Sequence, residues 1–230
     1  MVPFYMREKT MQPDLNSSQT IRRLALLATI FGGVFIFETA LMQAVYSSLD
    51  ILEAPLSMYA IGPWGFVLSS GLVTIGISYG ILSYLFFTGT PVNKRRIRTG
   101  ALLLSVIGVC VVLVAVFPTD TEGVATLTGR LHVIAAHGHF LLLPVATLCV
   151  VSGLEDTRWK TYRAVTAWFS VVLIGTGVVL VFDDLLGLDP YAGLVQKSLI
   201  VVVVMWIVFS ARYHALVRTT EQATRSLTSR

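Results

Sequence analysis

Charge is scarce in this chain. Asp, Glu, Lys and Arg make up 13% of its 230 residues while apolar types reach 55%, and mean hydropathy is +0.76; soluble domains carry roughly a quarter charged residues. A water-soluble domain of this length has no means of covering so much apolar surface, so a soluble enzyme or binding module is excluded. Cysteine is nearly absent. Cys110 and Cys149 both lie inside apolar stretches with no partnering motif, which argues against a disulfide framework and against a Cys-based metal site. They read as small packing residues. The sequence also lacks a low-complexity linker, an attached soluble domain and a clear internal repeat, the last of which weakens an inverted-repeat transporter reading. Neither a nucleophile elbow nor a Ser-x-x-Lys pattern occurs.

Six long apolar runs occupy what remains, near 22–46, 64–88, 100–117, 131–153, 164–183 and 194–213. Each approaches or exceeds the roughly 20 helical residues that cross a hydrocarbon core. Helix is the state they must take, because an open strand edge finds no hydrogen-bond partner in lipid. The expectation is therefore an all-α, six-helix membrane bundle over 21–213, with polar tails at 1–20 and 214–230. The first run exceeds the apolar core of a cleaved signal and is expected to stay as an anchor.

The few cations have a pattern. Arg7, Lys9, Arg22 and Arg23 precede the first run, Lys94, Arg95, Arg96 and Arg98 fill the second loop, and Arg158, Lys160 and Arg163 fill the fourth. Arg212, Arg218, Arg225 and Arg230 follow the last run, whereas the remaining segments hold only Arg130 and Lys197. By the positive-inside rule both termini are cytoplasmic and the first, third and fifth loops face outward, in a plasma membrane. The net charge of +4 follows from that topology and implies no nucleic-acid partner.

Given this orientation, the ionisable residues gather in the outer half. Glu38 lies in the first span about 12 Å below its outer end. His132, His137 and His139 open the fourth span after the loop with Asp120, Glu122 and Arg130; Asp183 and Asp184 close the fifth, and Lys197 opens the sixth. An intramembrane carboxylate such as Glu38 normally faces the bundle interior with a partner. His132 and His139, seven apart, share a helical face, while His137 points elsewhere. Together with Asp120 they are candidate ligands for zinc, which accepts nitrogen and oxygen donors; hydrogen bonding to a carbonyl, of the kind Pro144 frees, is the plainer role. Arg130 and Lys197 are two cations able to hold an anionic headgroup, and Asp183 stands at the same level. Gly76 with Gly80, and Gly175 with Gly177, are expected to let helices approach closely, and Ser69, Ser70, Thr74 and Ser78 to hydrogen-bond between helices.

Three segments together resemble a known family. The run Phe117, Pro118, Thr119, Asp120 followed by Gly129, Arg130, Leu131, His132 resembles the FPTD…GRLH signature of the prokaryotic multi-pass proteins called the domain of unknown function 998 family. Pro55, Leu56, Ser57, then Ala60, Ile61, Gly62, Pro63, Trp64, Gly65 resemble its P-x-S-x-x-A-x-G-P-x-G segment. Gly193, Leu194, Val195, Gln196, Lys197 are similar to its GLxQR stretch, with Lys in place of Arg. The resemblance implies about six helices in a prokaryotic cytoplasmic membrane and marks Ser57, Asp120, Arg130 and His132; it implies no activity.

The expected function is an outward-facing polar pocket that binds an ion or a polar headgroup. Asp120, His132 and Glu38 would act in it, Arg130, Lys197, Ser57 and Asp183 would bind ligand, and His132, His139 and Asp120 would take any metal. An intramembrane hydrolase acting on lipid through a metal-bound or His-activated water extends that expectation. The alternatives are a proton-coupled transporter or sensor using Glu38 and a histidine, and a non-catalytic scaffold.

Overall fold

A computed structural model describes residues 15–89, 94–121, 123–181 and 189–228. Asp183, Asp184 and Glu122 lie outside these residues, so their expected roles have no structural counterpart here. Six long helices dominate: α1 (Leu15–Val45), α2 (Gly65–Gly89), α3 (Lys94–Val116), α4 (Leu127–Gly153), α5 (Lys160–Val181) and α6 (Ala192–Thr228). Short 3₁₀ turns precede three of them, at Leu56–Ala60, Thr157–Trp159 and Asp189–Tyr191. Among the described residues there is no strand. Every long helix contains a stretch long and apolar enough to cross a membrane, as the apolar runs require. The segment expected as a carboxy-terminal tail continues α6 through Thr228.

Each helix packs on its sequence neighbours, α6 closes the ring against α1, and α2 also reaches α6 across the middle. An up-and-down ring of six places the described ends of α1 and α6 together, where Arg22 Nε donates to Thr219 Oγ1 at 3.1 Å. This end is called the termini end below. The other carries residues 46–64, a cap folded over the bundle. Large apolar side chains such as Phe37, Phe66 and Trp168 point outward, as a lipid-facing surface demands.

Without a hydrophobic force between helices in lipid, close backbone approach and interhelical hydrogen bonds hold the bundle. At the α2–α3 crossing a β-carbon on Gly76 would lie 2.8 Å from the Gly108 carbonyl oxygen. Gly76 therefore meets Gly108 of the next helix, and Gly80, Gly175 and Gly177 have open space around them, contrary to the pairing expected from spacing. Thr147 and Ser170 hydroxyls, 2.8 Å apart, join α4 to α5, and Tyr162 with Ser210 at 3.1 Å joins α5 to α6. In α2, Thr74 and Ser78 instead bond carbonyls of their own helix. A hydroxyl three or four residues after a carbonyl finds it at no cost in register.

Candidate functional site

Between α3 and α4 the chain turns on a clasp made of the FPTD…GRLH residues. Thr126 is the N-cap of α4, its hydroxyl accepting from Gly129 N at 3.0 Å. Asp120 holds that cap: its carboxylate accepts from Thr126 N at 2.9 Å and from Thr126 Oγ1 at 2.6 Å. These bonds, ahead of the nearby charge of Arg130, keep the Asp120 carboxyl below the usual carboxylate range. Gly129 lacks a side chain because a β-carbon there would overlap the Asp120 carboxylate. One turn later His132 Nδ1 lies 2.7 Å from the Phe117 carbonyl oxygen at the end of α3. A carbonyl only accepts, so Nδ1 carries the proton and Nε2 of the neutral ring is left as an acceptor.

The cap has its own anchor. Lys197 Nζ donates to the carbonyls of Ile51 and Ala54, both at 2.8 Å, and stands 5.0 Å from the centre of the Tyr59 ring. Leu194 N donates to Leu52 O at 2.8 Å, and Gln196 Oε1 accepts from Leu56 N at 2.7 Å. At Gly193 a β-carbon would come within 2.5 Å of the Ala54 carbonyl oxygen. The Gly-Leu-x-Gln-Lys stretch is thus a strap that fastens residues 51–56 to the start of α6. Gly62, at φ +106, makes the sharp return towards α2 that other residues rarely adopt, and Tyr46 Oη accepts from Trp64 N beside it at 3.3 Å.

Under the cap lies a cavity of about 70 Å³. Its polar lining comes from Ser57, His132, His139 and Gln196, and the rest is apolar, including Phe35, Leu72, Phe140 and Val203. His132 and His139 are both buried and look into it together, whereas His137 is exposed with Nδ1 2.8 Å from the Val133 carbonyl of its own helix. His139 Nε2 stands 3.0 Å from Tyr79 Oη. With Gln196 Oε1 occupied by the cap, its NH₂ group is left to donate. The cavity therefore combines an acceptor, a donor and apolar walls, which makes it more apolar than the polar pocket expected.

The remaining candidates go elsewhere. Glu38 sits in the α1–α2 seam, Oε1 3.1 Å from Ser70 Oγ and Oε2 buried without a hydrogen-bond partner among the described residues. A β-carbon on Gly71 would overlap it. Arg130 is exposed on α4, and Lys197 is committed to the cap rather than held ready for an anion. His132, His139 and Asp120 do not form a metal-ligand group: among the described residues no three His, Cys, Asp or Glu side chains come together as one. The reason is local. The Asp120 oxygens are turned to Thr126 at the α4 cap.

Three contributors were not singled out by sequence reasoning. Gln196 was visible in the strap motif, and an amide amid apolar residues at a helix start is a usable signal. Tyr79 carried none, being one aromatic among many. His214, at the termini end, is fully buried among Phe86, Trp159 and neighbouring rings. Neither ring nitrogen has a partner in hydrogen-bonding geometry among the described residues.

A family model described as protein of unknown function DUF998 matches residues 29–213, and the chain belongs to that family. No curated protein matches it. No solved structure does either.

Proposed function

We propose that this family member is a membrane binding protein whose capped cavity takes one end of a small amphipathic molecule. The molecule would be apolar over most of its surface, with a single hydroxyl or protonated carboxyl group. The supporting observation is the contact of His132 Nδ1 with the Phe117 carbonyl: with Nδ1 donating, Nε2 of the neutral ring is an acceptor in a largely apolar cavity where the Gln196 amide is a donor. An alcohol or a carboxylic acid satisfies both at once, while a bare ion would leave most of the wall without compensation. In this reading the cap end faces outward, as the distribution of cations directs. Arg130, exposed beside Asp120, meets the anionic headgroups there.

A second reading rests on Ser57 lining the same cavity. Acyl transfer would have the Ser57 hydroxyl attack an ester carbonyl while His132 Nε2 takes its proton and passes it to the departing alcohol, and water would then release the acyl group from Ser57 as the acid. The Phe117 carbonyl would hold the imidazole where a triad uses a carboxylate. Asp120 and Glu38 are then structural.

One experiment separates these. Purified protein is irradiated with a diazirine-bearing fatty alcohol and, separately, treated with a fluorophosphonate, and adducts are mapped by mass spectrometry. Binding predicts photolabel on residues of 131–140 and 196–204, lost in Ala136→Phe, whose added ring fills the cavity. Fluorophosphonate on Ser57 that disappears in His132→Gln would establish the acyl-transfer reading. Photolabel scattered over lipid-facing side chains, equally in both proteins, would sink the cavity as a binding site.

A further inference from the structure

The termini end carries a second concavity, independent of the capped cavity. Between α1 and α6 runs a groove whose lower part, about 630 Å³, is bordered by Arg22, Leu26, Arg212 and Tyr213. Its upper part, about 610 Å³, is floored by Gly32 and Gly33 and walled by Ile36, Val201 and Met205. Thr29 and Phe209 border both parts, which makes them one channel along the helix pair.

Charge and length identify the occupant. Arg22 and Arg212 are both exposed, and no carboxylate pairs with either among the described residues. Arg22 is oriented by its Nε bond to Thr219, which leaves its terminal nitrogens for a planar, two-point grip on a phosphate. From Arg22 to Gly33 and from Arg212 to Val201 is eleven residues of helix, about 16 Å. That is close to one leaflet of a hydrocarbon core about 30 Å thick. Above the two cations the lining becomes wholly apolar apart from Thr29, and Gly33 offers open space where any side chain would intrude. We infer that the α1–α6 groove is a binding site for one anionic glycerophospholipid, its phosphate held by Arg22 and Arg212 and one acyl chain laid over Gly32 and Gly33.

The test uses the full chain in mixed micelles, with phosphatidylglycerol or phosphatidylcholine of identical chains, followed by native mass spectrometry. Wild type should retain one phosphatidylglycerol with at least tenfold preference over phosphatidylcholine. Arg22→Ala/Arg212→Ala should lower that preference to about twofold or less. Gly33→Leu, which adds a side chain into open space and so does not disturb packing, should weaken retention of both lipids at least fivefold while leaving the preference intact. The site is overturned by an unchanged preference in the double-arginine variant, which would credit the remaining basic residues. Equal retention by Gly33→Leu overturns it, as does inorganic phosphate displacing the lipid at millimolar concentration, which would mean that the chain contributes nothing. A dimer that Gly33→Leu dissociates would give the groove to a second copy of the protein and also overturn it.

Discussion

At the cap end, Asp120, His132, Gln196 and Lys197 direct side-chain atoms at backbone groups: Thr126 N, Phe117 O, Leu56 N, and the carbonyls of Ile51 and Ala54. At the termini end, Arg158 pairs with Asp156 and Glu221, and Arg218 with the same Glu221. One end is held chiefly by side chains gripping fixed main chain, while the other adds charged side chains gripping one another. The distinction is physical. A backbone group in a cap or strap has a set position and little dependence on ionic strength, whereas ion pairs near a surface are screened by salt and cost side-chain entropy. The cap end is therefore suited to keeping a small cavity in one shape. The termini end is suited to holding three segments, the turn before α5, the end of α6 and the end of α2, through Arg158, Glu221 and the Arg218 bond to Thr88 O at 3.3 Å.

The largest effect expected from breaking this contrast is at Gly129. Valine there would drive its side chain into the space of the Asp120 carboxylate and dismantle the Thr126 cap. Overpacking and a lost N-cap together should destabilise the fold by about 3 kcal/mol. Thermal unfolding in detergent measures it, and the deficit should be equal at low and high salt. Gly175→Ala, in an open helical position, is the control and should be neutral or stabilising by up to about 1 kcal/mol.

A smaller loss is expected at the other end. Glu221→Gln removes both pairs from a side chain that is only 10% exposed, leaving Arg218, whose Nε is already buried without a partner among the described residues, with less compensation. Because Arg158 is 43% exposed, water recovers part of the energy, and the cost should be about 1–2 kcal/mol. Unlike the Gly129 deficit, this one should shrink as salt rises from about 0.05 to 1 M, where the Debye length falls to about 3 Å. A deficit indifferent to salt would mean that the two ends are not held by different means.

How far the sequence discloses this arrangement follows from the kind of signal each part leaves. Six helices are legible because apolar runs of membrane length have one satisfactory conformation. The sharing of a face by His132 and His139 is legible from a spacing of seven. The fate of the charges expected in the outer half is not. Depth puts Asp120, Glu38 and Lys197 near one level, but depth carries no rotation about the helix axis and no loop path, and those decide that Asp120 caps α4, Glu38 enters the α1–α2 seam and Lys197 holds the cap. Gly76 and Gly80 mislead for a related reason: a one-helix spacing motif does not disclose that the close partner is Gly108 on the next helix. His214 left no signal, since a histidine among aromatics near a basic tail reads as surface.

The smallest expected effect compares two carboxylates, one from each end. Hydrogen bonds from Thr126 lower the Asp120 carboxyl, and hydrogen bonds from the Arg158 side chain and backbone, with its charge, bring Asp156 down to about 2. A carboxylate depressed in the folded state stabilises the fold above its unfolded value, near 3.8, and loses that contribution as pH falls through the folded value. Both contributions should therefore be fully present and independent of pH between about pH 5 and 8. Below pH 4 the wild-type advantage over Asp156→Asn should decline, and it should be gone only below about pH 2, from a starting size under about 1 kcal/mol because Arg158 is exposed. The two ends part company when salt is added at pH 5. The Asp156→Asn difference should contract, since its partner is a guanidinium, while the Asp120→Asn difference should hold, since its leading donors are an uncharged hydroxyl and a backbone amide. Equal contraction of both would show that the Asp120 clasp depends chiefly on the charge of Arg130, and the contrast between the ends would then be one of degree.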